Sequence, residues 1–141
     1  MREAVIGRTE LERLLGIEFP EMFGHDGYSI LDIWHGGAQV RQAFRPHALR
    51  PGGTISGVAM MGLADVTMYV AVLASIGWVP LAVTTNLHIN FLRKPAPRGL
   101  DAECRLLKLG KRLAVGEISM RSQGEDEIVA HATSTYSIPA G

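Results

Sequence analysis

Asp65 is the only residue charged at neutral pH inside the run Gly57-Val-Ala-Met-Met-Gly-Leu-Ala-Asp65-Val-Thr-Met-Tyr-Val70. An ionised carboxylate held dry and unpaired in such a setting costs several kcal/mol, so the residue must meet water, a hydrogen-bond donor or a partner chain. One reading is structural, a buried aspartate satisfied by nearby hydroxyl or backbone donors. The other is chemical. The segment enters through Arg50-Pro-Gly-Gly-Thr-Ile-Ser-Gly57, where small residues leave the first backbone N–H groups of a helix open to an acceptor oxygen at the positive end of its dipole. A base together with an oxyanion-binding helix N-terminus supplies two of the parts needed to hydrolyse an acyl compound. Gly57 and Asp65 lie eight positions apart, roughly 12 Å along a helix at about 1.5 Å per residue, too far to serve one carbonyl within one chain. The site would therefore be shared, one copy offering the Gly57 N–H and the other its Asp65, with two equivalent sites per dimer.

Other constellations carry less. The five histidines, His25, His35, His47, His88 and His131, show no i,i+4 pairing and no HExxH arrangement, so no metal site is expected. His47 and His88 are left as groups able to support an active residue. Gly52-Gly53 with Gly57 is not a nucleotide loop, because no strand leads into it and no Lys-Ser/Thr follows. Ser56 lacks the GxSxG context of a nucleophile elbow.

These residues need a scaffold, and the chain has room for one domain of ordinary size at 141 residues. Hydrophobic residues at 47% and charged residues at 20% predict a real core rather than disorder. Lys plus Arg equals Asp plus Glu at 14 each, so no net positive field draws the chain to nucleic acid. The single Cys104 offers no intrachain disulfide and suits a reducing, cytoplasmic setting. The N-terminal residues lack the apolar stretch of a secretory signal. Residues 56–76 approach the length of a membrane span. Gly57, Gly62, Thr67 and Ser75 dilute the segment, however, and the chain after it alternates like a soluble sheet, so a helix buried in its own protein is predicted and no membrane partner.

Thr9 with Glu12 reads as a capping box over a short peripheral helix at 9–16. Strands are predicted at 28–35 and 38–44, meeting at Gly36-Gly37, followed by a loop over 45–53. From Leu81 the period becomes two, with Leu81, Val83, Thr85, Leu87, Ile89 and Phe91 on the core face and Ala82, Thr84, Asn86, His88 and Asn90 opposite. Strands at 100–109, 111–122 and 127–138 complete the chain, with a bulge predicted at Gly116 because the apolar parity changes across it. The sum is an α+β fold in which a curved antiparallel sheet wraps one long apolar central helix. Residues 1–27 form an N-terminal helix and connecting loop, and residues 28–141 the domain proper. One curved sheet covers only part of an all-round apolar helix, so a second copy is expected to cover the rest, as a dimer or a dimer of dimers.

The blocks RPGGTISGVAMMGLADVTMYVAVL, AVTTNLHINFLRKP, KLGKRLAVGEISM and IVAHATSTYSIP, in unbroken order over about residues 28–138, resemble the hot-dog-fold acyl-CoA thioesterases of the phenylacetate-degradation (PaaI-type) group, relatives of 4-hydroxybenzoyl-CoA thioesterase. The resemblance implies a hot-dog fold and hydrolysis of an acyl-CoA to free acid and CoA, with no cofactor beyond the coenzyme A of the substrate. It implies that Asp65 is the general base or nucleophile and that the Gly57 N–H polarises the thioester carbonyl. Where the family commonly has His-Gly-Gly this chain has Ser56-Gly57-Val58, and Arg50 replaces a side-chain amide of the preceding loop. Ser56 retains a hydroxyl to donate, and Thr84 falls where the family places a hydroxyl that helps hold the water. Arg50, Val58 and Asn86 are expected at the substrate. Arg93-Lys94 and Lys108, Lys111 and Arg112 are the basic clusters available for the phosphates of CoA. Met60, Met61, Met68 and Tyr69 are expected to line the acyl pocket, though at helical spacing such residues also make plain core. A non-catalytic acyl-CoA binder and an enoyl-CoA hydratase, the latter needing His47 beside the acid, are the alternatives.

Overall fold

The computed structural model describes residues 2–24, 26–46 and 49–140. Helix α1 (Arg8–Glu18) leads into strands β1 (Tyr28–Trp34) and β2 (Gly37–Gln42), the short pair β3 (Leu49–Arg50) and β4 (Thr54–Ile55), and helix α2 (Gly57–Ile76). Four strands follow: β5 (Val83–Phe91), β6 (Leu100–Leu109), β7 (Leu113–Ser122) and β8 (Ile128–Ser137). The long strands form one six-stranded sheet in the order β1-β2-β6-β7-β8-β5, every adjacent pair antiparallel. The sheet curls around α2, the hot-dog arrangement expected of this sequence.

Helix α2 is long and apolar enough to cross a membrane by length and composition, but it is the core of this fold. Ser56 caps it, its hydroxyl accepting from the Ala59 N–H at 3.2 Å. Every residue from Val66 to Ser75 is buried. The two aliphatic hydroxyls within that stretch donate to the helix itself, Thr67 to the Leu63 carbonyl at 2.7 Å and Ser75 to that of Ala71 at 2.8 Å. The helix ends at Gly77, whose φ of 94° only glycine adopts cheaply.

Several local expectations are corrected. Helix α1 begins at Arg8 behind an extended Gly7, with no side-chain cap, so Thr9 lies inside the helix and Glu12 pairs instead with Arg8 at 3.2 Å. The helix is not peripheral, since Leu11 and Leu15 are fully buried in the same core as α2. The β1–β2 turn is His35-Gly36, with Gly36 at φ 105°; Gly37 already belongs to β2, because a side chain there would meet the Trp34 ring at 2.4 Å. In β7 the buried face runs unbroken through Ala114, Gly116, Ile118, Met120 and Ser122. The register shift predicted at Gly116 falls on the neighbouring strand, between Leu106 and Lys108. Gly116 is small for another reason: a Cβ would come within 2.7 Å of the Met68 sulfur and 3.1 Å of the Cys104 sulfur.

The correction with most consequence is in β5. Its register against β8 shifts between Thr84 and Asn86, so the two halves of the strand present opposite parities to the core. Before the shift Ala82 is buried and Leu81 and Val83 are 79% and 57% exposed; after it Leu87 and Ile89 pack on the core. A single alternating face, as the sequence suggests, would have turned Thr84 away from α2.

Candidate functional site

The bulge in β5 aims Thr84 at α2. Its hydroxyl donates to Asp65 Oδ1. Tyr136 lies directly opposite Thr84 on β8, and its phenol reaches the same Oδ1 at 3.1 Å and the Asp65 carbonyl at 3.2 Å. Burial pushes the Tyr136 phenol above the ordinary tyrosine range, and the adjacent Asp65 charge adds to this although the Thr84 hydroxyl opposes it. The phenol therefore stays an O–H donor at neutral pH. One carboxylate oxygen thus has two hydroxyl partners, while Oδ2 has none among the described residues. Asp65 is half-buried and opens onto a cavity of about 200 Å³ whose other walls include Phe19, Phe23, Tyr69, Ala82 and Val83.

Gly57 lies elsewhere. It begins α2 and packs on Phe91, whose ring a Gly57 Cβ would meet at 3.2 Å. With Arg50, Arg93 and Lys94 it lines a separate hollow of about 390 Å³. The N–H groups of Gly57 and Val58 have no acceptor among the described residues, as the first turn of a helix requires. Lys94 forms no ion pair among the described residues, and Arg93 is held by Glu127 at 2.8 Å. Asp65 therefore meets β5 at Thr84, near the start of the strand, and Gly57 meets it at Phe91, its end. Both parts are present, and one protomer keeps them apart.

The remaining candidates are distributed as follows. Ser56 serves as the cap of α2 and, with Val58, borders a hollow of about 340 Å³ beside Tyr28, Gln42 and Arg45. Val58 is 77% and Met61 39% exposed, side by side on the open face of α2. Met60 is buried at the Gly57 hollow and Tyr69 borders the Asp65 cavity. Met68 does neither: it is fully buried against Cys104, sulfur to sulfur 3.8 Å, and cannot touch a substrate. Asn86 follows the bulge and is exposed on the outer side of the sheet, away from Asp65. Lys108, Lys111 and Arg112 sit at the β6–β7 turn, in line with the Val83 end of β5 through Ser137 and Leu113. The two basic clusters are thus at opposite ends of the sheet, eight residue steps apart along β5, roughly 26 Å at about 3.3 Å per residue. His47 lies outside the described residues, and His88 is exposed on β5.

Tyr136 and the wall residues Phe19, Met22 and Phe23 are not found by reading motifs. The only signal for Tyr136 is that the inward positions of β8 read Ala130, Ala132 and Ser134 before it, small residues followed by one large hydroxylated one.

The family model described as Thioesterase superfamily matches residues 52–129. A Silicibacter protein of known structure, described as a presumed thioesterase, is 45% identical over 98% of this chain and 95% of its own, with a TM-score of 0.88. A conserved Pseudomonas aeruginosa protein is 32% identical over 81% of this chain and 90% of its own, at a TM-score of 0.74. A mutant form of the phenylacetic acid degradation protein PaaI of Thermus thermophilus is 23% identical over 81% of this chain and 95% of its own, at a TM-score of 0.70, which speaks for the fold. Comparison with curated proteins gives no match. The chain belongs to the thioesterase superfamily.

Proposed function

We propose that the protein hydrolyses acyl-CoA thioesters as a homodimer in which β5 pairs antiparallel with the β5 of a second copy. The observation that carries this reading is the division of labour along that strand, with Asp65 at its start and, at its end, the Gly57 N–H that has no acceptor among the described residues. Strand β5 is nine residues long and, among the described residues, stands at the edge of the sheet with its outer side unpaired, a ready template for a second strand. A two-fold axis through its middle sets the start of one β5 beside the end of the other. Asp65 and Thr84 of one protomer then face the partner subunit's Gly57, and the hollow with Arg50, Arg93 and Lys94 adjoins the partner's cavity. The exposed Val58, Met61, Val83, Phe91 and Leu92 along this edge and the open face of α2 become interface.

Chemically, the acyl group enters the apolar cavity and the thioester carbonyl oxygen takes the partner's Gly57 N–H, at the positive end of a helix dipole. Asp65, held by Thr84 and Tyr136 through one oxygen, receives a proton from water through the other. The water oxygen bonds to the carbonyl carbon, the C–S bond breaks, and the CoA thiolate takes up a proton as the acid leaves. Arg50, Arg93 and Lys94 offer cations to the CoA phosphates.

The test is release of free CoA thiol from a panel of acyl-CoAs by the native protein and by Asp65→Asn, together with the mass of the native species in solution. Thiol release that is lost in the variant, from a dimer or a multiple of it, is the expected result. Equal rates in both proteins, or a native monomer that turns over, overturn the reading.

A further inference from the structure

Helix α1 and the turn after it are fastened to the fold, and the turn lines the Asp65 cavity. Leu11 and Leu15 anchor α1 in the core. The chain leaves the helix with the Phe19 N–H on the Leu15 carbonyl at 2.8 Å, and the Met22 carbonyl accepts from the Tyr28 N–H at 2.8 Å. Gly27 allows that approach, since a Cβ there would lie 2.1 Å from the Met22 oxygen. Phe19 stands edge-on to Tyr69 with ring centroids 6.0 Å apart, and Phe23 packs on Tyr28 at 5.9 Å. Phe19, Met22 and Phe23 therefore form a wall of the cavity that Asp65 also lines.

Apart from Asp65 Oδ2, the polar side chains lining this cavity are already engaged. Thr84 and Tyr136 serve Asp65, and the Tyr69 phenol donates to the Pro80 carbonyl at 2.9 Å. Burial, reinforced by the neighbouring Glu18 charge, pushes that phenol up to about 12, so it remains neutral. Among the described residues, no cation lines the cavity to receive a second negative charge.

Building on the thioesterase reading above, we propose that residues 19–23 are the end wall of the acyl pocket and that Phe19 and Phe23 set the length of the acyl group. A cavity of about 200 Å³ compares with the ~150 Å³ that holds benzene, so the group admitted is uncharged and about the size of one ring or a six-carbon chain. A longer chain meets the Phe19 ring. An acyl group ending in carboxylate loses its hydration and finds no partner.

The experiment compares kcat/KM for butyryl-, hexanoyl-, benzoyl-, decanoyl- and glutaryl-CoA, and calorimetric affinity for the non-hydrolysable S-hexyl- and S-decyl-CoA thioethers. Hexanoyl- and benzoyl-CoA are expected to lead, with decanoyl- and glutaryl-CoA at least about tenfold lower. Phe19→Ala should raise the decanoyl-to-hexanoyl ratio by about tenfold or more, with Phe23→Ala acting in the same direction and the conservative Phe19→Leu shifting it less. A thermal midpoint on each variant separates a reshaped pocket from a damaged fold, and the Leu variant supplies the comparison if the Ala variant is unstable. A flat native profile through decanoyl-CoA, or an unchanged ratio in folded Phe19 and Phe23 variants, overturns the end wall. If no CoA ester releases thiol but the native protein still prefers S-hexyl-CoA and Phe19→Ala erases the preference, the wall stands and hydrolysis falls.

Discussion

The two halves of α2 are both predominantly apolar and differ in their surroundings. From Val66 to Ser75 every side chain is buried by the sheet and by α1, and even the hydroxyls of Thr67 and Ser75 are spent on the helix's own carbonyls. From Gly57 to Asp65 the same helix has an open flank, with Val58 and Met61 exposed and, among the described residues, no acceptor for two N–H groups at its start and no donor to one carboxylate oxygen at its end. The N-terminal half resembles a molecule cut through its interface, and the C-terminal half a finished core. On the proposed function, the chemistry lies where burial is incomplete.

The comparison is broken most severely at Asp65. Asp65→Asn keeps the shape and both hydroxyl contacts within reach but removes the proposed base, and turnover should fall about 10²–10⁴-fold while circular dichroism and unfolding midpoint stay near native. In the finished half the reverse is expected. Leu73→Ala empties a fully buried site and should lower unfolding free energy by about 2–5 kcal/mol, read from urea denaturation at fixed protein concentration, with the turnover of the folded fraction preserved. If Leu73→Ala abolished turnover in folded protein, the separation of core from site would be wrong.

A smaller effect is expected at the entrance. Ser56→Ala removes the cap accepted from Ala59 and should cost about 1 kcal/mol of stability. If Ser56 also donates to substrate, kcat/KM falls further than stability accounts for. The mildest test lies between the halves, at Tyr69 and Tyr136. Both phenols are raised by burial in the folded state. The unfolded chain ionises its tyrosines near pH 10 while the folded one keeps them protonated, so stability is whole below that pH and declines as pH rises above it. An alkaline unfolding series on the native protein and Tyr136→Phe should show a shallower decline in the variant.

Much of the fold is readable from local pattern. The long apolar helix, the antiparallel strands after it and the curved sheet that wraps it are all present, because each rests on the period of its own side chains. The failures occur where a distant partner decides. The odd-numbered apolar residues of β5 read as one face, yet pairing with β8 inserts an extra residue at Thr85 and turns Leu81 and Val83 outward. The parity change expected within β7 belongs to the neighbouring β6. Met68 reads equally as pocket or core, and only its contact with Cys104 and Gly116 selects core. Tyr136 carries no motif at all; it joins Asp65 across 71 positions of sequence.

Sequence alone determined that one carboxylate would sit in an apolar helix whose N-terminus is open, since those are matters of residue type and spacing along a single element. Tertiary structure decided which hydroxyls reach that carboxylate, that the N-terminal turn lines its cavity, and that Gly57 and Asp65 lie at opposite ends of one edge strand. The physical reason is that a side chain's face within a strand depends on the register its neighbours impose, and a single misplaced residue in that register exchanges inside for outside.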